Sequence, residues 1–242
     1  MMYLIVTETL WPWVRLPNLG NIGFTLVFVV FALLHCAATE GALFTAEFFG
    51  ISAVVSYALE EIGVRTGAIY GAYHYSDMLG AKLGHVPVII PLAWFMMVYP
   101  CWKVARTMLG AEGESRVIAV SLVAAFVMTG WDMAMDPGMA AAHNWVWEQG
   151  GDYFGVPLRN YFGWMVTTFA IYLLAGLLWR DGAGRGVSRV FSRLPVILFA
   201  FYALRYVMVN RIPALRVVAL FSMGLPAIVA LAQLRTSGAR HR

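Results

Sequence analysis

The fold class is decided by Val117-Ile-Ala-Val-Ser-Leu-Val-Ala-Ala-Phe-Val-Met-Thr-Gly-Trp-Asp-Met-Ala-Met135. This stretch contains a single ionisable side chain, Asp132. A helix needs roughly 20 mostly apolar residues to cross the hydrocarbon core of a bilayer. The stretch is therefore typical of a transmembrane helix that carries one carboxyl group near its end.

The composition of the whole chain agrees with this interpretation. Of the 242 residues, 61% are hydrophobic and 12% are charged, whereas about 25% of the residues of a soluble domain are charged. A soluble core of this size cannot hide so many apolar residues. We therefore expect one integral-membrane domain over residues 1–242.

Seven segments are long and apolar enough to be candidate spans. They are Asn21–Ala38, Leu43–Ile62, Val86–Met108, Val117–Met135, Tyr161–Trp179, Leu194–Val209 and Pro213–Leu234. The predicted fold is an all-α, polytopic transmembrane helix bundle of about seven spans. The connections Gly63–His85 and Asp136–Asn160 are long and rich in Gly, Tyr, Trp and His. Since two spans separate them, both are expected on one face of the bundle, folded over it.

The basic residues predict the orientation of the bundle, because cytoplasmic loops of membrane proteins are enriched in Lys and Arg. Seven spans place ten basic residues on the side of the C-terminus: Lys103, Arg106, Arg116, Arg180, Arg185, Arg189, Arg193, Arg235, Arg240 and Arg242. They place seven on the other side: Arg15, Arg65, Lys82, Arg159, Arg205, Arg211 and Arg216. We expect a multi-pass protein of the plasma membrane with a cytoplasmic C-terminus and both long loops outside.

Two pairs of acidic residues lie where spans meet the loops. Glu60 and Glu61 close the second span, and adjacent helical residues point about 100° apart, so one can face the bundle while the other faces the headgroups. A carboxyl group against apolar walls can stay protonated near neutral pH, which is what a general acid requires. A solvated helix end is the alternative interpretation of this pair.

Asp132 and Asp136 share a face if the fourth helix persists to Asp136. Pro137 disfavours helix at the preceding residue, which would let Asp136 swing into the loop. The spacing also suits carboxylate binding of Mg²⁺, but only one such motif is present, and helix-end capping is a further alternative. Acid–base chemistry is the favoured function, and we expect no metal.

The loops and the adjoining helices supply polar and aromatic candidates for a binding site. His74 is a candidate catalytic residue that could orient a water molecule, and so could Asp77. The candidate substrate-binding residues are Tyr73, Tyr75, Asp77, Trp94, Trp131, Trp145 and Asn160. Aromatic faces stabilise cations, although a belt of Tyr and Trp at the membrane interface would explain the same composition.

Several functional classes lack their signatures in this chain. The basic residues fall between the apolar runs, so they indicate topology rather than a nucleic-acid partner. There is no Gly-x-x-x-x-Gly-Lys phosphate loop and no Gly-x-Ser-x-Gly elbow, which argues against a nucleotide-driven reaction or a serine hydrolase. The last span contains no lysine, so a retinal Schiff base is not expected there.

Five blocks in sequence resemble the membrane carotenoid 1′,2′-hydratase family, which includes γ-carotene and bisanhydrobacterioruberin hydratases. The blocks are Glu60-Glu-Ile-Gly-Val-Arg-Thr-Gly67, Tyr73-His-Tyr-Ser-Asp77, Val86-Pro-Val-Ile-Ile-Pro-Leu-Ala-Trp-Phe-Met-Met97, Trp131-Asp-Met-Ala-Met-Asp-Pro137 and Tyr153-Phe-Gly-Val-Pro-Leu-Arg-Asn160. The resemblance runs over roughly residues 55–170, and the outer spans fit the family by length only.

The resemblance implies a polytopic enzyme that adds water to the terminal C1′,2′ double bond of an acyclic carotenoid. We expect a cofactor-free reaction in which an acid protonates the alkene and water captures the tertiary cation. A lycopene-type cyclase, in which an internal alkene captures the cation, is the alternative enzyme, and a non-catalytic carotenoid- or lipid-binding protein is the alternative of another class. The expected partners are the carotenoid, membrane lipid and a carotenoid glycosyltransferase.

Overall fold

The computed structural model describes residues 20–110, 116–179 and 186–239. In chain order the helices are α1 (Gly20–Glu40), α2 (Ala42–Thr66), α3 (Ile89–Met108), α4 (Val117–Ala141), α5 (Leu158–Leu178), the short α6 (Arg189–Ser192), α7 (Leu194–Val209), α8 (Pro213–Ala219) and α9 (Leu225–Ala239). A π-helical turn, Leu220–Gly224, joins α8 to α9 as one continuous rod. The prediction of an all-α polytopic bundle is confirmed.

Five helical segments are long and apolar enough to cross a membrane: α1, α2, α4, α5 and the rod that covers Pro213–Thr236. The apolar helix α7 is shorter, with 16 residues. Helix α3 contacts α1, α2, α4, α7 and α9 and buries most of its side chains. Because protein rather than lipid surrounds α3, it can carry Pro100 and Lys103, whose ammonium group pairs with Glu40 at 2.8 Å.

Helix α4 differs from its predicted course, because it continues through Asp136 and Pro137 to Ala141. A proline inside a helix has no N–H to donate, which leaves the carbonyl oxygen four residues earlier without its helical partner. Here that oxygen belongs to Met133, and the Tyr153 hydroxyl donates to it at 3.1 Å. The second long loop thereby satisfies the helix, and Asp136 stays on the same face as Asp132.

The two long loops meet on one face of the bundle, as predicted. Strand β1 (Tyr73–Tyr75) of the first loop pairs antiparallel with β4 (Trp145–Trp147) of the second. A smaller pair, β2 (Lys82–Leu83) and β3 (Val86–Pro87), follows in the first loop. Since successive side chains of a strand point to opposite faces, Tyr73 and Tyr75 are buried under the sheet while His74 is exposed.

Candidate active site

A cavity of about 500 Å³ lies beneath the β1–β4 sheet, between the loops and the helices. Its walls are mostly apolar and aromatic. The aromatic residues that line it are Phe24, Tyr70, Tyr73, Tyr75, Trp94, Trp131, Trp145, Trp147, Trp164, Tyr202 and Tyr206. Glu60, Asp132, Asp136 and Asn160 also line the cavity, so it combines a hydrocarbon-like interior with a cluster of carboxyl groups.

Glu60 enters the cavity from the last turns of α2 and is 4% exposed. Oε2 accepts hydrogen bonds from the hydroxyls of Tyr73 and Tyr75, and Oε1 accepts one from Trp94 Nε1 at 3.1 Å. Burial, followed by the charge of Glu60, raises the pKa of both tyrosines well above its usual range, so they remain donors. Both carboxyl oxygens thus accept hydrogen bonds from neighbours, and such bonds favour the ionised form, against the cost of burying it.

Asp132 and Asp136 face the cavity from α4 and are 1% and 2% exposed. The side-chain amide of Asn160 on α5 donates to Asp132 Oδ2 at 3.0 Å and to Asp136 Oδ2 at 2.8 Å. Trp145 Nε1 donates to Asp136 Oδ1 at 2.6 Å. Asp132 Oδ1, by contrast, has no hydrogen-bond partner among the described residues. Within the described part of the chain, it is the one oxygen of Glu60, Asp132 and Asp136 that receives no hydrogen bond.

The three carboxyl groups converge from two helices, and Glu60 lies within electrostatic range of both aspartates. Ionising all three in an apolar site would be costly, because like charges repel strongly where water is excluded. A proton on one of them relieves the repulsion. The cluster can therefore hold an acid next to a carboxylate, which is the pairing that acid–base catalysis uses.

The indole rings form a continuous surface beside this cluster. Trp94 stacks on Trp164 with ring centroids 4.1 Å apart, and Trp131 meets Trp164 edge-on at 6.1 Å. Trp94 donates a hydrogen bond to Glu60. Trp131 is the residue directly before Asp132 in the chain. Ring faces in a dry site stabilise positive charge, so the surface suits a cationic intermediate.

Three of the predicted residues lie away from the cavity. Glu61 points outward from α2 and binds the backbone N–H and the imidazole of His85. His74 lies on the outer face of β1 and pairs with Glu148, because strand alternation turns it away from its two tyrosine neighbours. The carboxylate of Asp77 is fully exposed and pairs with Lys82 at 2.9 Å. The remaining predicted residues all line the cavity.

The cavity is also lined by residues that no sequence pattern marked as candidates. Trp164 lies one helical turn after Asn160, a spacing that could have revealed it. Tyr70 lies in the first loop, and its hydroxyl contacts Thr167 Oγ1 at 2.9 Å. Tyr202, Arg205 and Tyr206 come from α7, and no motif in the sequence links α7 to the acidic clusters.

Known proteins match this chain at two levels. The model of a family described as "Carotenoid biosynthesis protein" matches residues 20–234. Bisanhydrobacterioruberin hydratase from Haloarcula japonica is 35% identical over 120 residues, which is 49% of this chain and 40% of the relative. The chain thus matches less than half of that protein's length. No solved structure matches.

Proposed function

The chain belongs to the carotenoid biosynthesis protein family, and from that premise we propose that it is a carotenoid hydratase. It would add water across the terminal C1′,2′ double bond of an acyclic carotenoid. The similarity to a hydratase supports this reaction class. The observation that carries the proposal is the group of three buried carboxyls facing one aromatic cavity.

Asp132 is the proton donor in this proposal. Glu60 and Asp136 have hydrogen-bond donors on both of their oxygens, whereas Asp132 Oδ1 has none among the described residues. A hydrogen on Oδ1 would therefore point at the bound alkene rather than at a protein acceptor. Transfer of this proton to C2′ forms the new C–H bond and leaves a tertiary cation at C1′.

The cavity then has to stabilise that cation until water arrives. Glu60, which accepts hydrogen bonds from Tyr73, Tyr75 and Trp94, would place a negative charge beside the cation when ionised, and the faces of Trp131 and the neighbouring indoles add to that stabilisation. Water adds its oxygen to C1′ and gives up a proton to Asp136. Return of this proton to Asp132, through the side chains that Asn160 holds together, resets the site.

The size of the cavity limits how much of the substrate it holds. A volume of about 500 Å³ falls within the range of pockets for drug-sized ligands. One end of the carotenoid would occupy it, while the rest of the polyene extends between helices into the surrounding lipid. The product is a tertiary alcohol, which is an acceptor for a glycosyltransferase, the partner that we predict.

Pigment analysis in a lycopene-producing bacterium tests the proposal. Expression of the chain should yield a carotenoid heavier by one water. An isomer of unchanged mass would instead identify a cyclase, and unchanged pigment that copurifies with the protein would identify a binding protein. Asp132→Asn keeps the shape but removes the acid, and should lower hydration by about 10²-fold or more. Hydration by this variant at the wild-type rate would rule out Asp132 as the donor.

A further inference from the structure

Helix α7 contributes a second set of polar side chains to the same cavity, and the mechanism above gives them no role. Tyr202, Arg205 and Tyr206 all line the cavity, and their spacing of three and four places them on one face of the helix. Tyr202 is 5% exposed, and its hydroxyl has no hydrogen-bond partner among the described residues. Arg205 Nε is likewise buried and unpartnered within that part of the chain.

Unpaired donors in a buried site are costly, so proteins seldom retain them without a ligand. The apolar polyene of a carotenoid cannot pair with them. A water molecule can, because its oxygen accepts from a guanidinium N–H and one of its O–H groups donates to a phenol oxygen. An oxygen-containing ligand would therefore satisfy the polar groups on this face of α7.

We propose that Tyr202 and Arg205 form a subsite for the water molecule that the enzyme adds. This inference rests on the proposed hydratase function. Arg205 Nε–H donates to the water oxygen, and one water O–H donates to the Tyr202 oxygen. This geometry leaves a lone pair of the water free to form the C–O bond at C1′ as the second water proton leaves for Asp136.

The placement of the subsite supports this role. Tyr206, Arg205 and Asp132 line the same cavity, and Asp132 is within electrostatic range of Tyr206. Asn21 and Asn210 line the cavity where it approaches the surface. They provide polar side chains along which water can enter without crossing the aromatic wall.

The subsite would decide the fate of the cation rather than its formation. A captured cation gives the alcohol, whereas an uncaptured one returns a proton and regenerates an alkene. In D₂O the cation has one hydrogen and one deuterium at C2′, and loss of that hydrogen, or of a hydrogen from a methyl group on C1′, returns an alkene that contains deuterium. The amount of deuterium in the recovered carotenoid therefore measures protonation of the alkene, and the amount of alcohol measures capture of the cation by water.

The test uses membranes containing the full chain, an acyclic carotenoid and D₂O, with both products measured by mass spectrometry. Tyr202→Phe and Arg205→Met should each lower the alcohol by about tenfold, the effect of losing one hydrogen bond. Deuterium in the recovered alkene should persist or rise. Retained deuterium incorporation also demonstrates that the variant is folded around its acid.

Ser52→Ala is the control, because the Ser52 hydroxyl is also buried and unpartnered within the described residues but does not line the cavity. It should leave both products unchanged. Unchanged alcohol in both α7 variants, or a parallel fall of alcohol and deuterium, would overturn the water subsite. Wild-type chain that forms no alcohol would instead overturn the hydratase function itself.

Discussion

Two adjacent glutamates at the end of α2 have opposite environments. Glu60 is buried against two tyrosines and an indole, while Glu61 points outward to His85. Glu60→Gln keeps the volume but removes the charge that faces the proposed cation. Loss of one such electrostatic contact typically costs about 10²-fold or more in rate.

We therefore expect Glu60→Gln to lower hydration by about 10²-fold, and Glu61→Gln to change it by less than about twofold. The measurement is the rate of alcohol formation in membranes, normalised to the amount of protein in each preparation. A similar loss in both variants would mean that the end of α2, rather than the cavity carboxylate, controls the activity.

The sequence predicts the inward residues of this site better than the outward ones. The division between Glu60 and Glu61 follows from helical geometry alone, and it agrees with the structure. The positions of His74 and Asp77 depend on β1 being a strand that pairs with a distant segment. That pairing is a tertiary contact, and a three-residue strand has too little periodicity to reveal it.

At the scale of single elements, α4 depends on a contact from outside the helix. Pro137 deprives the Met133 carbonyl of its helical donor, and the Tyr153 hydroxyl replaces it. Tyr153→Phe should lower the free energy of unfolding by about 1–3 kcal/mol, the usual cost of an unsatisfied buried carbonyl. In a Pro137→Ala background the new N–H supplies the missing bond, so the same change should cost much less.

A double-mutant cycle of Tyr153→Phe and Pro137→Ala measures this coupling by thermal unfolding in detergent. If Tyr153→Phe destabilises the chain equally in both backgrounds, the hydroxyl does not substitute for the helical donor. The sequence correctly marks Pro137 as a disturbance. It does not reveal that Tyr153, sixteen residues later, supplies the missing hydrogen bond, because that contact depends on how the loop folds.

The packing of α4 on the π-helical turn restricts another position near the site. A Cβ atom on Gly130 would lie 2.6 Å from the carbonyl oxygen of Ser222, whose hydroxyl donates to the Gly130 carbonyl at 2.8 Å. Gly130→Ala should push the two segments apart, destabilise the chain by about 1–3 kcal/mol, and displace Asp132 two residues later.

Gly50→Ala is the control for this substitution, because a Cβ at Gly50 on α2 meets open space. It should be neutral or slightly stabilising, as alanine favours helix over glycine. Thermal unfolding of both variants in the same detergent is the measurement. Equal stability of the two alanine variants would show that the close approach of α4 and the turn does not require glycine.

At the scale of the whole molecule, hydrophobicity predicts which segments form helices but not which helix lies at the centre of the bundle. All seven predicted segments contain a helix, because long apolar stretches have few alternatives in a bilayer, although the third begins in strand β3 at Val86–Pro87 and becomes helical only from Ile89. Yet α3, at the centre, is not among the segments that are apolar enough to span by composition. A helix enclosed by others does not need a lipid-facing surface, so its sequence carries less of the membrane signal.

The structure also refines the prediction of orientation. Lys103 is paired with Glu40, Arg106 is buried between indole rings, and Arg205 lines the cavity. Such residues are inside the bundle and do not contribute to the loop charge that orients it. Removing Lys103 and Arg106 from the ten basic residues of one side, and Arg205 from the seven of the other, leaves eight against six. The bias still favours a cytoplasmic C-terminus.

Cysteine labelling in intact cells tests this orientation. Asp77 is fully exposed on the loop face, Arg189 is exposed on α6 at the opposite end of α7, and the native Cys36 and Cys101 are buried. A membrane-impermeant maleimide should label Asp77→Cys directly but Arg189→Cys only after permeabilisation. The reverse pattern would place the loops and the cavity entrance on the cytoplasmic side of the membrane. Labelling of both variants without permeabilisation would contradict the bundle itself, because the two ends of α7 would then lie on one side of the membrane.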